Sequence, residues 1–360
     1  MTGGPPPGIP KISALTKQSF LPGAVFEAVL GFEDHLEREL DFYAPGSWER
    51  WPGEGAALYH AEAPPGGVFW RRNVWLKPFR LEFGSVSEAA GALRSIQRNW
   101  APSLLTRFRR GALIMEQLPP LSRKPRRFPW NIPSAPMGAW TLLDDHTLAA
   151  SALCGSPFPG GVIEFEEDRT GPPSRAYLKL WEALTLAAGP SGTPETSGTP
   201  LPGPSGVPLP GPGTVCLDAG ASPGGWTWAL AKLGAAVRAV DRSPLEDRVA
   251  ALPGVAFTRR DALTLRPEDA GPVDWLFCDV ACYPSRLFGW ITAWLDSGLC
   301  RNYVCTIKMQ GAAASADFET PRLFAALPGS RVIHLHHNKH ELTWIKTGAS
   351  LTPAPVPDRQ

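Results

Sequence analysis

Nowhere in the 360 residues does an apolar run approach the roughly 18 that would cross a bilayer. The opening MTGGPPPGIPKIS also lacks the apolar stretch of a secretion signal, so a soluble, cytoplasmic chain without membrane contact is expected. The six cysteines (Cys154, Cys216, Cys278, Cys282, Cys300, Cys305) include no CxxC pair. Most sit in apolar, strand-like surroundings, which favours buried free thiols over disulfides. Net charge is nearly absent too, at +1, but it is unevenly spread. Between residues 71 and 130 stand 13 Lys or Arg against three acids, Glu82, Glu88 and Glu116. Segregation of this size points to a polyanionic partner.

The basic stretch has a second feature. FWRRNVWLKPFR, RNWAPSLLTRFRR and SRKPRRFPW mix arginine with aromatic rings. Arginine neutralises phosphate and rings stack on unpaired bases, a mixture suited to single-stranded or looped RNA. Arg71, Arg72, Arg107, Arg109, Arg110, Arg126 and Arg127 are the candidate contacts. The alternative is a solvated basic face with its aromatics turned inward.

Proline and glycine divide the chain. Residues 1–18 and 349–360 are expected to be disordered, residues 19–170 to form a basic RNA-binding region and residues 171–348 a catalytic domain. Residues 187–213, with the near-repeats SGTP and PLPGP, hold too few large apolar groups for a core and read as an insertion inside that domain. Strand-like runs then alternate with helical ones: TVCLDAG, AAVRAVD, VAFTRRDA, VDWLFCDVA and NYVCTIKM, followed by RVIHLHH and ELTWIKT. GGWTWALAKLG, PLEDRVAAL and PSRLFGWITAWLDSG read as the intervening helices. The pattern predicts an α/β fold. It is a mostly parallel, Rossmann-like sheet of the class I methyltransferase type with an antiparallel last strand, beside a smaller basic α+β domain.

In CLDAGASPGGWTWAL a strand runs into a glycine turn and a helix. The order Asp218, Gly220, Ser222, Pro223, Gly224, Gly225, Trp226 departs from the dinucleotide spacing GxGxxG and puts an acid at the strand end. A carboxylate there repels pyrophosphate but accepts hydrogen bonds from an ammonium group. S-adenosylmethionine carries an amino group and a sulfonium and no phosphate, so it fits. Asp241 and Asp261 end the next two strands, placed for ribose and for adenine, or serve as capping acids. Asp279 and Lys308 fall at the same sheet edge, Glu341 begins the last strand, and Lys179 lies on an amphipathic helix with Leu178, Trp181 and Leu184.

SRAYLKL, LDAGASPGGWT, FCDVA, IKM and HELTWIK resemble, in order, the motifs of the FtsJ-like ribose 2′-O-methyltransferases, most closely the RlmM type, which acts on bacterial large-subunit rRNA. LGFEDHLEREL is similar to the start of that type's N-terminal region, where ferredoxin-like and THUMP parts bind RNA. The resemblance implies a tetrad of Lys179, Asp279, Lys308 and Glu341, with Lys308 as general base, and cofactor contacts from Asp218 through Trp226, Asp241, Asp261 and Asp279. Acting as a base near neutrality requires a lowered Lys308 pKa, by desolvation and a neighbouring cation. This chemistry needs no metal. Two alternatives stand beside it. Cys282 and Cys305 could serve cytosine-C5 methylation, although the Thr-Cys order is reversed, and a non-catalytic RNA-binding protein could keep the fold. His334 and His336 in HLHHNKH read as exposed edge-strand residues rather than zinc ligands.

Overall fold

The computed structural model describes residues 17–62, 67–189, 207–309, 311 and 316–348. They fall into two compact units: Met1–Arg126 with Pro133–Glu164, and Arg127–Ile132 with Phe165–Gln360. Residues 1–16, 349–360 and the 190–206 part of the expected insertion lie outside the described residues. Lys17 and Gln18, which fall within the stretch expected to be disordered, pair with Glu82 and Leu81.

The first unit contains two sheets. One is built from β2 (Ala24–Ala28), β3 (Trp48–Arg50), β4 (Leu58–Ala61) and β5 (Arg71–Trp75), all antiparallel, in the order β3-β4-β2-β5. With α1 (Glu33–Tyr43) between β2 and β3, its element order is βαβββ. The other sheet joins β1 (Lys17–Phe20), β6 (Phe79–Glu82), β7 (Trp100–Pro102), β8 (Gly138–Leu142) and β9 (Thr147–Ser151) in the order β1-β6-β9-β8-β7. Two helices accompany it, α2 (Val86–Ile96) and α3 (Phe108–Gln117). Ser85 caps α2 by accepting from Glu88 N, and the apolar face that follows buries Ala89, Ala90 and Leu93 against Trp100, Ile114 and Trp140.

The second unit is the α/β domain. Its helices are α4 (Ala176–Ala188), α5 (Gly225–Lys232), α6 (Asp247–Ala250), α7 (Pro267–Ala270), α8 (Pro284–Ser297) and a last one, Glu319–Ala326. Its strands are β10 (Val215–Ala219), β11 (Ala236–Asp241), β12 (Val255–Arg259), β13 (Val273–Cys278), β14 (Cys300–Lys308), β15 (Ser330–Ile333) and β16 (Glu341–Lys346), ordered β12-β11-β10-β13-β14-β16-β15. The first five run parallel, and β16 is antiparallel to both of its neighbours. The expected fold class is borne out. β13 and β14 are buried almost throughout, as parallel strands covered on both faces must be.

Three local expectations are corrected. PLEDRVAAL forms a single turn, because Pro253 and the left-handed Gly254 that follow it turn the chain into β12. RVIHLHH leaves the sheet after Ile333, since the backbone N–H groups of His336 and His337 go to Glu182 and not to a neighbouring strand. The Lys179 helix is buried almost all round, so Lys179 is an interior cation and not part of a solvated face.

Candidate active site

Pairing in the sheet brings three of the four tetrad residues together. Cys278 of β13 sits opposite Cys305 of β14, which puts Asp279, one residue past the strand, beside Thr306. Lys308 of β14 is the direct cross-strand partner of Glu341 of β16. α4 packs on β16 and delivers Lys179 from above the sheet edge. Lys179 Nζ lies 2.6 Å from Glu341 Oε1 and 3.1 Å from Asp279 Oδ2. Lys308 Nζ lies 2.5 Å from Asp279 Oδ1 and 2.7 Å from Glu341 Oε2. Thr306 Oγ1 also donates to Asp279 Oδ1, at 2.6 Å. Each carboxylate thus meets both ammonium groups, and two positive charges balance two negative ones.

The electrostatics follow from that balance. Burial works against both ionised acids, but Lys179 and Lys308 hold the Asp279 and Glu341 carboxyls below the usual carboxylate range. For Lys308 burial again opposes the charge, yet Asp279 and Glu341 together raise its pKa above that of an ordinary lysine. This corrects the expectation of a lowered value: in the unliganded site Lys308 is an ammonium group.

The glycine turn lies beside this cluster. Asp218 is fully buried; its Oδ2 accepts from Thr227 Oγ1 at 2.6 Å and its Oδ1 has no donor. Burial pushes its carboxyl up to about 7. Gly220 adopts φ +82° against Asp279 and Val280, where a Cβ would come within 2.8 Å of Val280 Cγ2. Gly224 is also left-handed, and Gly225 opens α5 with its Cα facing Ser174. Asp241 binds the turn itself, accepting from Ser222 N at 3.1 Å and from Ser243 N at 2.8 Å. Ser222 Oγ donates to the Pro244 carbonyl, and the Pro223 carbonyl accepts from Glu246 N.

Asp261 and Trp226, both expected cofactor contacts, also have partners within the chain. Asp261 caps the 3-10 turn Ala262–Thr264 by accepting from Leu263 N and meets Arg286, so capping accounts for its carboxylate. The Trp226 side chain is buried, donates to the Ala176 carbonyl at 2.9 Å and lies 5.6 Å from Lys179 Nζ. Cys305 is fully buried, and burial raises its thiol well above the ordinary value and the Cys282 thiol to about 12. Neither is a thiolate nucleophile at neutral pH. His334 is buried, with Nε2 on the Lys339 carbonyl at 2.9 Å, and is not an exposed edge residue.

Of the seven candidate RNA contacts, Arg72 is committed to the interior. It pairs with Glu27, which is fully buried on β2 and also accepts from Ser103 Oγ at 2.8 Å. Arg71 lies in the field of buried Glu39, a carboxylate that accepts from Phe69 N and Trp70 N. Arg107 and Arg109 are exposed on either side of Phe108, itself 50% exposed, although Arg107 also meets Asp145 at 3.0 Å. Arg110 lies over the Phe83 ring and Arg126 donates to the Ser122 carbonyl. Arg127 is exposed and belongs to the second unit. Sequence reasoning passes over Thr306, Thr227 and Glu182. The alternation of β14, with Thr306 and Lys308 on one face, is the signal that points to the first.

Residues 173–288 match the family model for FtsJ-like methyltransferases. Three of the five motifs, SRAYLKL, LDAGASPGGWT and FCDVA, lie inside that match. Over 195 residues the chain is 32% identical to Ribosomal RNA large subunit methyltransferase M of Azoarcus sp. (strain BH72), covering 52% of this chain and 49% of that protein. It is 34% identical over 197 residues to the protein of the same name from Laribacter hongkongensis (strain HLHK9), covering 52% and 51%. The corresponding protein of Xanthomonas oryzae pv. oryzae (strain PXO99A) is 32% identical over 225 residues, covering 62% and 57%. The chain spans about half the length of the curated relatives it matches. The family match ends before Lys308 and Glu341, so their place in the site rests on the register of β14 and β16.

Proposed function

We propose that this chain transfers a methyl group from S-adenosylmethionine to a ribose 2′-hydroxyl of RNA, with large-subunit ribosomal RNA as the substrate class. The observation that carries the reading is the buried, charge-balanced tetrad of Lys179, Asp279, Lys308 and Glu341 at one sheet edge. The glycine turn fits the cofactor. Asp218 Oδ1 is a buried acceptor lacking a donor, which an ammonium group satisfies, and Gly220 leaves no side chain between the turn and Asp279. Asp241, partly exposed, keeps acceptor capacity for a hydroxyl. When bound, the cofactor supplies an electrophilic methyl group on a sulfonium.

The remaining chemistry belongs to the chain. A ribose hydroxyl is a weak nucleophile and must shed its proton as its oxygen bonds to the methyl carbon and the sulfur–carbon bond breaks. Lys308 in its neutral form takes that proton. Because Lys308 is an ammonium group in the balanced tetrad, its own proton has to pass to solvent first, and Lys308 is partly exposed; a further cation alongside it, added to Lys179, opposes its charge and favours that loss. Asp279 and Glu341 hold both lysine nitrogens in place throughout. RNA binding is read onto Arg107, Phe108 and Arg109 of the first unit, since Arg72 pairs with buried Glu27 and burial depresses the charge of Arg71. Incubation with methyl-labelled cofactor and total RNA, followed by mapping, tests the proposal. Label on a ribose 2′-oxygen of large-subunit RNA is expected, and label on a base would overturn the mechanism.

A further inference from the structure

Glu182 stands one helical turn after Lys179 on α4 and takes no part in the tetrad. Its buried carboxylate accepts three hydrogen bonds from the segment between β15 and β16: from His336 N at 2.8 Å, His337 N at 3.0 Å and His337 Nδ1 at 2.7 Å. The segment then closes on itself. His334 Nε2 meets the Lys339 carbonyl at 2.9 Å, and Thr343 Oγ1 donates to Asn338 Oδ1 at 3.1 Å. The His340 carbonyl accepts from Met309 N at 3.2 Å, and Glu341 follows at once. The few residues from His337 to Glu341 are therefore fastened at both ends, to α4 and to the end of β14. Glu341, whose two oxygens each hold one lysine, closes the segment that Glu182 holds at its other end.

We infer that Glu182 and His337 are positioning residues for the methyl-transfer site, acting through Glu341 on Lys308. One rigid helix then fixes both a tetrad cation, Lys179, and the approach to a tetrad acid. The inference rests on the reading of Lys308 as the base. A ring nitrogen that faces a carboxylate at 2.7 Å carries a proton, so His337 donates through Nδ1. Asparagine can place its amide nitrogen where the ring holds Nδ1, whereas alanine cannot.

Glu182→Gln, His337→Ala and His337→Asn in the full chain test it, each examined by thermal melting, by NMR titration of the Lys308 side chain and by single-turnover methyl transfer. Glu182→Gln and His337→Ala should slow single-turnover transfer on the order of tenfold to a hundredfold, without a matching rise in the KM for RNA. They should also bring the Lys308 titration down as Glu341 loosens, and His337→Asn should recover most of both properties. A Lys308 titration unmoved in Glu182→Gln and His337→Ala, or no recovery in His337→Asn, would overturn the inference and leave Glu182 a purely stabilising acid. Should Glu182→Gln fail to fold, the two His337 variants still decide. Should the wild-type chain methylate no ribose, the proposed function falls, while the Lys308 titration continues to report on the clasp.

Discussion

Replacing Asp218 by asparagine probes the buried acid beneath the glycine turn. Burial outweighs its hydrogen bond from Thr227 and moves its pKa from 3.8 to about 7. An acid whose folded pKa lies above its unfolded one stabilises the fold fully below the unfolded value, and loses that contribution as pH rises through the folded value. For Asp218 the loss runs from about pH 4 to about pH 7. At ~1.4 kcal/mol per unit, a shift of about three units amounts to a loss on the order of 4 kcal/mol. Asparagine cannot ionise, so Asp218→Asn abolishes this slope while its oxygen still accepts from Thr227. Its amide nitrogen, where Oδ1 now lacks a donor, adds a pH-independent penalty of about 1–3 kcal/mol. The opposite slopes from Asp279 and Glu341, whose pKa values are lowered, cancel in the comparison of the two proteins. Urea unfolding followed by tryptophan fluorescence at a series of pH values reads the difference. It should move in favour of the variant as pH rises, and saturating S-adenosylhomocysteine, which offers Oδ1 an ammonium donor, should flatten the wild-type slope. Parallel stability curves for the two proteins would refute the reasoning.

Further outcomes are expected. Glu341→Gln leaves two buried ammonium groups facing one carboxylate and should cost on the order of 3–5 kcal/mol. Adding Lys179→Met restores charge balance and should return about 1–3 kcal/mol of it in a double-mutant cycle, where strict additivity would contradict mutual compensation. Lys308→Met should lower the methyl-transfer rate by about 10²–10⁴ while calorimetry shows the cofactor still bound; a rate close to wild type would remove Lys308 as the base. Cys282→Ser combined with Cys305→Ala should retain transfer to ribose, because burial keeps both thiols protonated, and loss of transfer in a folded variant would move the chemistry to a base carbon. Arg107→Gln with Arg109→Gln should weaken RNA binding and lower its salt slope by about two in filter binding. Arg72→Gln should instead lower the stability of the first unit by leaving buried Glu27 without its cation, and an equal salt effect from it would return Arg72 to the RNA face.

The strands of the second unit are legible because parallel strands buried on both faces read as unbroken apolar runs; VDWLFC and NYVCTI need only Gly and Pro at their flanks to be bounded. RVIHLHH has the same appearance but fails as a strand over its second half. Its backbone donors are claimed by Glu182, about 150 residues earlier, and no local pattern announces that competition. The arginines at 71 and 72 illustrate the same limit. A run of charge reads as a solvated face until it is known that Glu27 and Glu39 lie in the interior and that a buried acid needs a donor or a cation.

The tetrad is legible for a different reason. The resemblance of the ordered motifs names Lys179, Asp279, Lys308 and Glu341, and in the fold each is an ionisable group that is costly to bury unless it is paired. Which partner each takes depends on the strand order and on the direct opposition of Lys308 to Glu341. Protonation is one step further from the sequence. Desolvation can be judged from apolar neighbours, and for Lys308 it alone predicts a lowered pKa. The contrary pull of two carboxylates at 2.5 and 2.7 Å exists only once the chain is folded, and it decides the sign. A charge-balanced site has no spare negative charge to meet an arriving sulfonium, and a buried cluster one unit positive is unfavourable. Loss of the Lys308 proton restores the balance. In the proposed mechanism, the same neutrality that stabilises the resting site therefore ties formation of the base to arrival of the methyl donor.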